Sequence, residues 1–418
     1  MSMFSPESVL PWCREQVLDS RLVGIKKGLG MLPRLVIMSI WAIALGIGLP
    51  VVAAQPPIIP PAPEIAASSY LLLDAETQKV LVEYNAHEGL PPASLTKIMT
   101  AYIAAVEIEA GRISLEDQVL ISVKAWRTQG SKMFIREGTR VPLEDLLKGI
   151  IIQSGNDASV AVAEHIAGSE AAFADMMNQQ AVLLGMSSSQ FENATGLPGE
   201  GHRTSAWDLA LLTNALLKRF PEHYAMYAER SFTFNDIEQP NRNRLLWRDR
   251  TVDGVKTGYT RAAGYCLVAS ALRGNMRLIS VVMGTKSEEA RMQESQKLLS
   301  YGFRYFETQK LYAAGVPLKT AELWYGDMEE IELGVAETVV ITIPRGYYDD
   351  IKAELKVAKI IEAPVAKGAE FGELRLSLHD ETVYRAPLIA LESAEEAGMF
   401  SRFGDAIYLF FAGFAGSD

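Results

Sequence analysis

Residues 92–100 read Pro-Ala-Ser-Leu-Thr-Lys-Ile-Met-Thr and continue as AYIAAVEIEAG to residue 111. Leu95, Ile98, Met99, Tyr102, Ile103 and Val106 recur at helical spacing, and the remaining face carries Ala101, Ala104 and Ala105 instead of charges. A helix that is apolar all round is a buried one. The ammonium of Lys97, in its first turns, therefore loses hydration, and a desolvated lysine shifts its pKa readily. Ser94 lies three residues earlier on the same face. One reading makes Ser94 a helix N-cap and lets Lys97 snorkel to water; the other makes the two a working hydroxyl and amine. A Ser-x-x-Lys pair arises about once by chance in a chain of this length, so the remaining residues must decide.

The chain has 418 residues, 49% of them apolar, enough for two or three domains with real cores. Its net charge of -11 argues against nucleic acid as a partner, because phosphate binding requires a basic surface. Arg21, Lys26, Lys27 and Arg34 precede the apolar run Leu35 to Val52, and Val52-Ala53-Ala54 offers small residues at a cleavable position before the proline-rich QPPIIPPAP. Residues 1–54 are thus expected to be a secretory signal and 55–63 a linker; an uncleaved membrane anchor is the alternative. Cys13 leaves with the signal, and Cys266, in the apolar run GYCLVASAL, is expected to be a buried, inert thiol. At the other end, Phe400, Phe403, Ile407, Phe410, Phe411 and Phe414 fall at helical spacing in residues 396–418. They predict an amphipathic helix lying in a membrane interface, although Arg402 and Asp405 make it a weakly basic one.

After the linker, SSYLLLDAETQKVLVEYN predicts two strands turning at Asp74 to Thr77. Helical patterning runs from Leu143 to Gly185 with a break at Gln153 to Asp157, where Asn156 or Asp157 is a candidate cap, and returns from Ser205 to Arg219. VDGVKTGYT, GYCLVASAL and MRLISVVMG predict an antiparallel meander, and Ser287 to Phe306 a closing helix. Strands, helices, strands and a last helix predict an α+β domain over residues 64–311, both ends of which feed one antiparallel sheet with a helical cluster. ETVVITIPRG, KAELKVAK, GELRLSLHD and VYRAPLIAL predict a small all-β sandwich over 312–395.

Three short signals occur in one order: Ser94-Leu95-Thr96-Lys97, Ser154-Gly155-Asn156 and Lys256-Thr257-Gly258. The set resembles that of class A β-lactamases and penicillin-binding proteins, with Ser-Gly-Asn standing where Ser-Asp-Asn is usual. Acyl transfer gives each residue a task. Ser94 is the candidate nucleophile and needs a base; Lys97 is that base, its pKa lowered by burial and by a nearby cation, expected to be Lys256. Ser154 is placed to relay a proton to the departing amine and Asn156 to hydrogen-bond the acyl chain. Lys256 and Thr257 are placed to receive a substrate carboxylate, Gly258 to let peptide lie close along a strand edge, and the backbone N–H of Tyr259, with that of Ser94, to form an oxyanion hole.

With FENATGLPGEGHRTSAWDLALL (residues 191–212) and NRNRLLWRDRTVDGVKTGYT (residues 241–260), the chain resembles the low-molecular-weight penicillin-binding proteins that act as serine-type D-alanyl-D-alanine carboxypeptidases. The resemblance implies a β-lactamase/DD-peptidase-like catalytic domain, a β-rich second domain and a terminal amphipathic helix. It also implies removal of the last D-alanine from peptidoglycan stem peptides, inhibition by β-lactams, and a peripheral place on the periplasmic face of the inner membrane. Arg291 matches an arginine that in such proteins helps to bind the terminal carboxylate; its plain alternative is a surface helix arginine. Tyr259 departs from the histidine often found there, which implies an altered rate or pH response. No cofactor or metal is expected: His87, His165, His202 and His223 show no ligand spacing. The rivals are a transpeptidase or endopeptidase, a β-lactamase, against which no Glu-x-x-Leu-Asn segment stands between the second and third motifs despite Glu192 and Glu200, and an inactive wall-binding scaffold.

Overall fold

The computed structural model describes residues 59–398, so the expected leader and nearly all of the expected terminal helix lie outside the described residues. Strands β1 (Ser69–Asp74) and β2 (Val80–Tyr84) form a hairpin. A 3₁₀ turn (Ala93–Thr96) then leads into α1 (Lys97–Glu109). Strand β3 (Gln118–Leu120), helix α2 (Val123–Arg127) and strand β4 (Arg140–Pro142) follow, β3 pairing with β4. Helix α3 (Leu143–Lys148) passes through a π-helical stretch (Gly149–Gln153) to Ser154, after which come α4 (Asn156–Ala167), α5 (Glu170–Leu183) and α6 (Ala206–Arg219). The short α7 (Pro221–Tyr224), the hairpin of β5 (Ser231–Phe234) and β6 (Ile237–Pro240), and α8 (Leu245–Arg248) precede β7 (Val252–Thr260), β8 (Gly264–Arg273), β9 (Met276–Thr285) and α9 (Glu288–Tyr305). Serines set several of the helix starts: Ser122, Ser169, Ser205 and Ser287 each accept the N–H three residues on.

The main sheet has the antiparallel order β2-β1-β9-β8-β7, so the two ends of the α+β region meet at the β1–β9 pair. Its strands read as nearly continuous apolar runs because both faces are covered. Leu71, Leu73, Val268 and Ile279 join the core under the helical cluster, while their neighbours Leu72, Leu267 and Leu278 pack with Met292, Leu298 and Phe303 of α9. Strand β7 is left at the sheet edge, beside the turn that carries Ser94. Cys266 is fully buried in β8 and burial pushes its thiol up to about 11, the inert state expected.

Beyond α9 lies a β-rich region: β10 (Phe306–Tyr312), β11 (Pro317–Glu322), β12 (Glu330–Gly334), β13 (Val339–Pro344), β14 (Ile351–Val357), β15 (Glu370–Leu378) and β16 (Glu381–Ala390). One sheet runs β11-β12-β16-β15-β14, and β10 pairs with β13. The strand at the expected boundary of 311 and 312, β10, thus hydrogen-bonds into the second region. Strands β11 and β12 escape sequence patterning because β11 is mostly exposed and β12 carries glutamates on its outer face. Where the regions meet, Thr308 Oγ1 donates to buried Asp74 Oδ2 at 2.5 Å and the hydroxyls of Thr77 and Thr342 lie 2.6 Å apart.

Candidate active site

Ser94 lies within the 3₁₀ turn, and Lys97 begins α1. Side chains at i and i+3 eclipse in a 3₁₀ helix, which brings this pair face to face. Ser94 does not cap α1; it stays half exposed while Lys97 is fully buried. The Lys97 Nζ lies 3.1 Å from Ser94 Oγ, 2.7 Å from Asn156 Oδ1 and 2.5 Å from the Thr195 carbonyl oxygen. Burial, first, and the charge of Arg242, second, bring its pKa down to about 7, against an opposing pull from Asp157.

Arg242 is thus a second neighbouring cation, beside the expected Lys256. Arg242 is exposed and keeps its charge, whereas Lys256 is buried and is itself driven well below the usual lysine range by desolvation and by Lys97, Arg242 and Arg291. The two buried lysines repel each other, so each favours the neutral form of the other. Lys256 Nζ donates to the Thr257 carbonyl at 3.2 Å. Arg291 is not a surface residue: it is 5% exposed, its guanidinium donates to the Gly258 carbonyl at 3.1 Å and lies over the Tyr265 ring. Lys97, Lys256, Arg242 and Arg291 thus form a cluster of basic groups beside β7, faced by Glu288, which pairs with Arg291 at 3.6 Å, and by Asp157.

The second motif departs from the capping expectation. Gly155, not Asn156 or Asp157, holds the N-cap position of α4, with no side-chain cap. The Asn156 amide is taken up at both ends, its Oδ1 accepting from Lys97 and its Nδ2 donating to the Gln129 carbonyl at 2.6 Å. Asp157 instead accepts the N–H groups of Met133 and Phe134, each at 3.0 Å, and so pins the segment opposite. Ser154 has left-handed backbone, φ +67°, and its buried hydroxyl has no hydrogen-bond partner among the described residues. Such a backbone costs about 1–3 kcal/mol and an unpaired buried hydroxyl adds to it.

The third motif shows a different use for Gly258. A Cβ there would meet Ala93 Cβ and the Pro92 carbonyl oxygen at 3.2 Å and Leu95 Cγ at 3.3 Å. The absent side chain makes room for the turn bearing Ser94. Tyr259 beside it is half exposed and stacked on Tyr265 at 4.2 Å between centroids.

The stretch from Asn193 to His202 enters the site without any role having been assigned to it. Asn193 Oδ1 accepts the N–H groups of Thr195 and Gly196 and the Thr195 hydroxyl, which shapes the turn that aims the Thr195 carbonyl at Lys97. Gly196, at φ +82°, presses on the same turn: a Cβ would sit 1.8 Å from the Ala93 carbonyl oxygen. His202 is buried, accepts the Glu192 N–H at Nδ1 and therefore presents Nε2–H to Thr96 Oγ1 at 2.9 Å. Burial takes its pKa down to about 4, so it stays neutral. The only signals for this stretch in the sequence are the Asn-Ala-Thr-Gly turn residues, which name no chemistry.

The family profile described as D-alanyl-D-alanine carboxypeptidase matches residues 53–287, and that described as penicillin-binding protein 5, C-terminal domain, matches residues 306–396. The chain is 44% identical over 364 residues to D-alanyl-D-alanine carboxypeptidase DacC of Escherichia coli (strain K12), covering 85% of this chain and 91% of the relative. It is 42% identical over 362 residues to D-alanyl-D-alanine carboxypeptidase DacA of the same strain, covering 85% and 90%. The crystal structure of penicillin-binding protein 5 from Haemophilus influenzae superposes with a TM-score of 0.77 at 40% identity, over 81% of this chain and 100% of that one. The helical cluster on an antiparallel sheet, the β-rich region behind it and the Ser–Lys centre at the sheet edge have the same assignment: the chain belongs to the D-alanyl-D-alanine carboxypeptidases of the low-molecular-weight penicillin-binding protein family.

Proposed function

We propose that the chain removes the terminal D-alanine from peptidoglycan pentapeptides by acyl transfer through Ser94. The observation that carries this reading is the set of neighbours around Lys97 Nζ. All three are oxygens. An ammonium donates to each; a neutral amine has two N–H groups and one lone pair. The Asn156 and Thr195 oxygens have no proton to give, so in the neutral form they take the two N–H bonds and the lone pair faces the Ser94 hydroxyl. With a pKa near 7 that form is well populated at neutral pH.

Ser94 Oγ then attacks the carbonyl carbon of the penultimate D-alanine as its proton passes to Lys97, and the backbone N–H groups of Ser94 and Tyr259 hold the oxyanion. Collapse breaks the peptide bond; the proton returns to the departing amine through the Ser154 hydroxyl, whose lack of a partner leaves it free to turn. The free carboxylate of the leaving D-alanine is met by Lys256, Thr257, Arg242 and Arg291, a basic cluster in which Arg291 is paired with Glu288. The second Nδ2 hydrogen of Asn156 is left for the acyl chain. Water, activated by Lys97, then hydrolyses the ester. A β-lactam follows the same first step. Glu192 does not stand ready as a water-activating glutamate, because its Oε1 accepts the Gly201 N–H at 2.7 Å. The protein is exported and held peripherally at the periplasmic face of the inner membrane, a reading supported by the basic-then-apolar leader and the aromatic terminal run.

Incubating the purified protein with a pentapeptide ending in two D-alanines and measuring free D-alanine tests the proposal. Stoichiometric release that stops in Ser94→Ala is expected; release of a dipeptide, or exchange onto an added amine in preference to water, would replace it with an endopeptidase or transpeptidase.

A further inference from the structure

The leaving-group side of Ser94 is the basic cluster; the acyl side lies at the other end of β7. There Thr260 borders a small hollow shared with Ala93, Gly196 and Leu197. Leu197 is also a wall of a much larger pocket, about 480 Å³, which reaches back past Thr195, Asn193 and Gln129 to the first turn of α5 and the end of α2. Two of these residues already touch the centre through their carbonyls, Thr195 on Lys97 and Gln129 on Asn156. A chain acylating Ser94 and passing Asn156 would therefore lay its next residues over this pocket.

The charges on its wall are specific. Lys124 Nζ is paired with Glu170 Oε2 at 2.8 Å, and Glu170 Oε1 accepts the Ala194 N–H at 3.4 Å. Lys132 Nζ, nearby in sequence, is spent on the Trp126 carbonyl. Arg127 is exposed, its guanidinium lies 5.7 Å from the centroid of the Trp126 ring, and it has no carboxylate partner among the described residues. The pocket thus offers one uncompensated guanidinium in a protein whose net charge is -11. A planar guanidinium resting on an aromatic ring is suited to bidentate capture of a carboxylate.

We propose, building on the carboxypeptidase reading above, that this pocket is a specificity subsite that takes a carboxylate-bearing residue of the stem peptide on the acyl side of the scissile bond, with Arg127 as its counter-charge. Arg127 is remote from the reacting atoms, so its effect belongs in KM. The test compares two synthetic peptides ending in D-alanyl-D-alanine that differ only in whether the upstream residue bears a free carboxylate or the carboxamide.

With the full chain, the carboxylate peptide should be favoured in kcat/KM by about tenfold at low salt, chiefly through KM, and less so as salt is raised. Arg127→Gln should abolish the preference and Arg127→Lys should restore part of it, which separates charge from folding. Glu170→Gln, which frees Lys124, should enlarge it. Equal turnover of the two peptides by the unaltered protein, or a preference that survives Arg127→Gln, would overturn the subsite while leaving the carboxypeptidase reading intact. Failure to release D-alanine from either peptide would remove both.

Discussion

The α+β region and the β-rich region bury different things. The core of the second is apolar, built from Leu333, Ile341, Leu374, Leu376 and Leu388, and the buried polar residues beyond Tyr305 are Thr308 and Thr342, both at the junction. The first region buries Lys97, Lys256 and Arg291 close together. Desolvated cations cost stability, and no packing argument calls for them. They persist where a reacting group must be kept off its resting state.

That contrast can be broken or sharpened by experiment. Ser94→Ala should lower D-alanine release on the order of 10⁴-fold or more and abolish covalent labelling by fluorescent penicillin. Gly196→Ala puts a methyl group into the Ala93 carbonyl at a left-handed position, so the Ser94 turn must move; a fall in kcat/KM of about 10²-fold is expected from a displacement near 1 Å. If that variant keeps full activity, the loop does not position the centre.

The pH profile comes next. With a base near 7, acylation should rise about tenfold between pH 6 and pH 8, and Arg242→Gln, which removes a cation that lowers Lys97, should move the limb to higher pH. The same shift has a stability sign. Between about 7 and the ordinary 10.5 the unfolded chain holds a proton that the folded Lys97 has lost. The penalty is therefore fully present below pH 7 and is relieved as pH rises through that window, and Lys256 acts in the same direction. Urea midpoints should climb with pH across the window, and less steeply in Lys97→Met. In the β-rich region the effect on activity should be least: Leu374→Ala should cost about 2–5 kcal/mol of stability yet leave kcat/KM within about twofold. A large loss of activity there would mean that the two regions are coupled through Asp74, Thr308 and Thr342.

Several parts of this molecule are local and were readable as such. The Ser94–Lys97 spacing, the apolar runs of β1 and β7 to β9, and the starts of α6 and α9 near Ser205 and Ser287 depend on residues within a turn or a strand of one another. Strands β11 and β12 were not readable, because β11 is a mostly exposed edge strand and β12, though interior to the sheet, is short and alternates its apolar residues with glutamates. Arg242 and Thr195 were not readable either. The first acts through space and the second through a carbonyl, and neither leaves a side-chain pattern.

By itself, then, the order of residues determined which groups are present for chemistry, the class of each element and the division into a mixed region followed by a β-rich one. Only the tertiary structure decided that Arg242 joins Lys256 beside Lys97, that Gly258 and Gly196 make way for the turn bearing Ser94, and that the Asn156 amide oxygen accepts from the Lys97 amine. Electrostatic coupling and steric fit depend on distance in space, and residues 59 to 166 positions apart along the chain share those distances only after the sheet has closed around them.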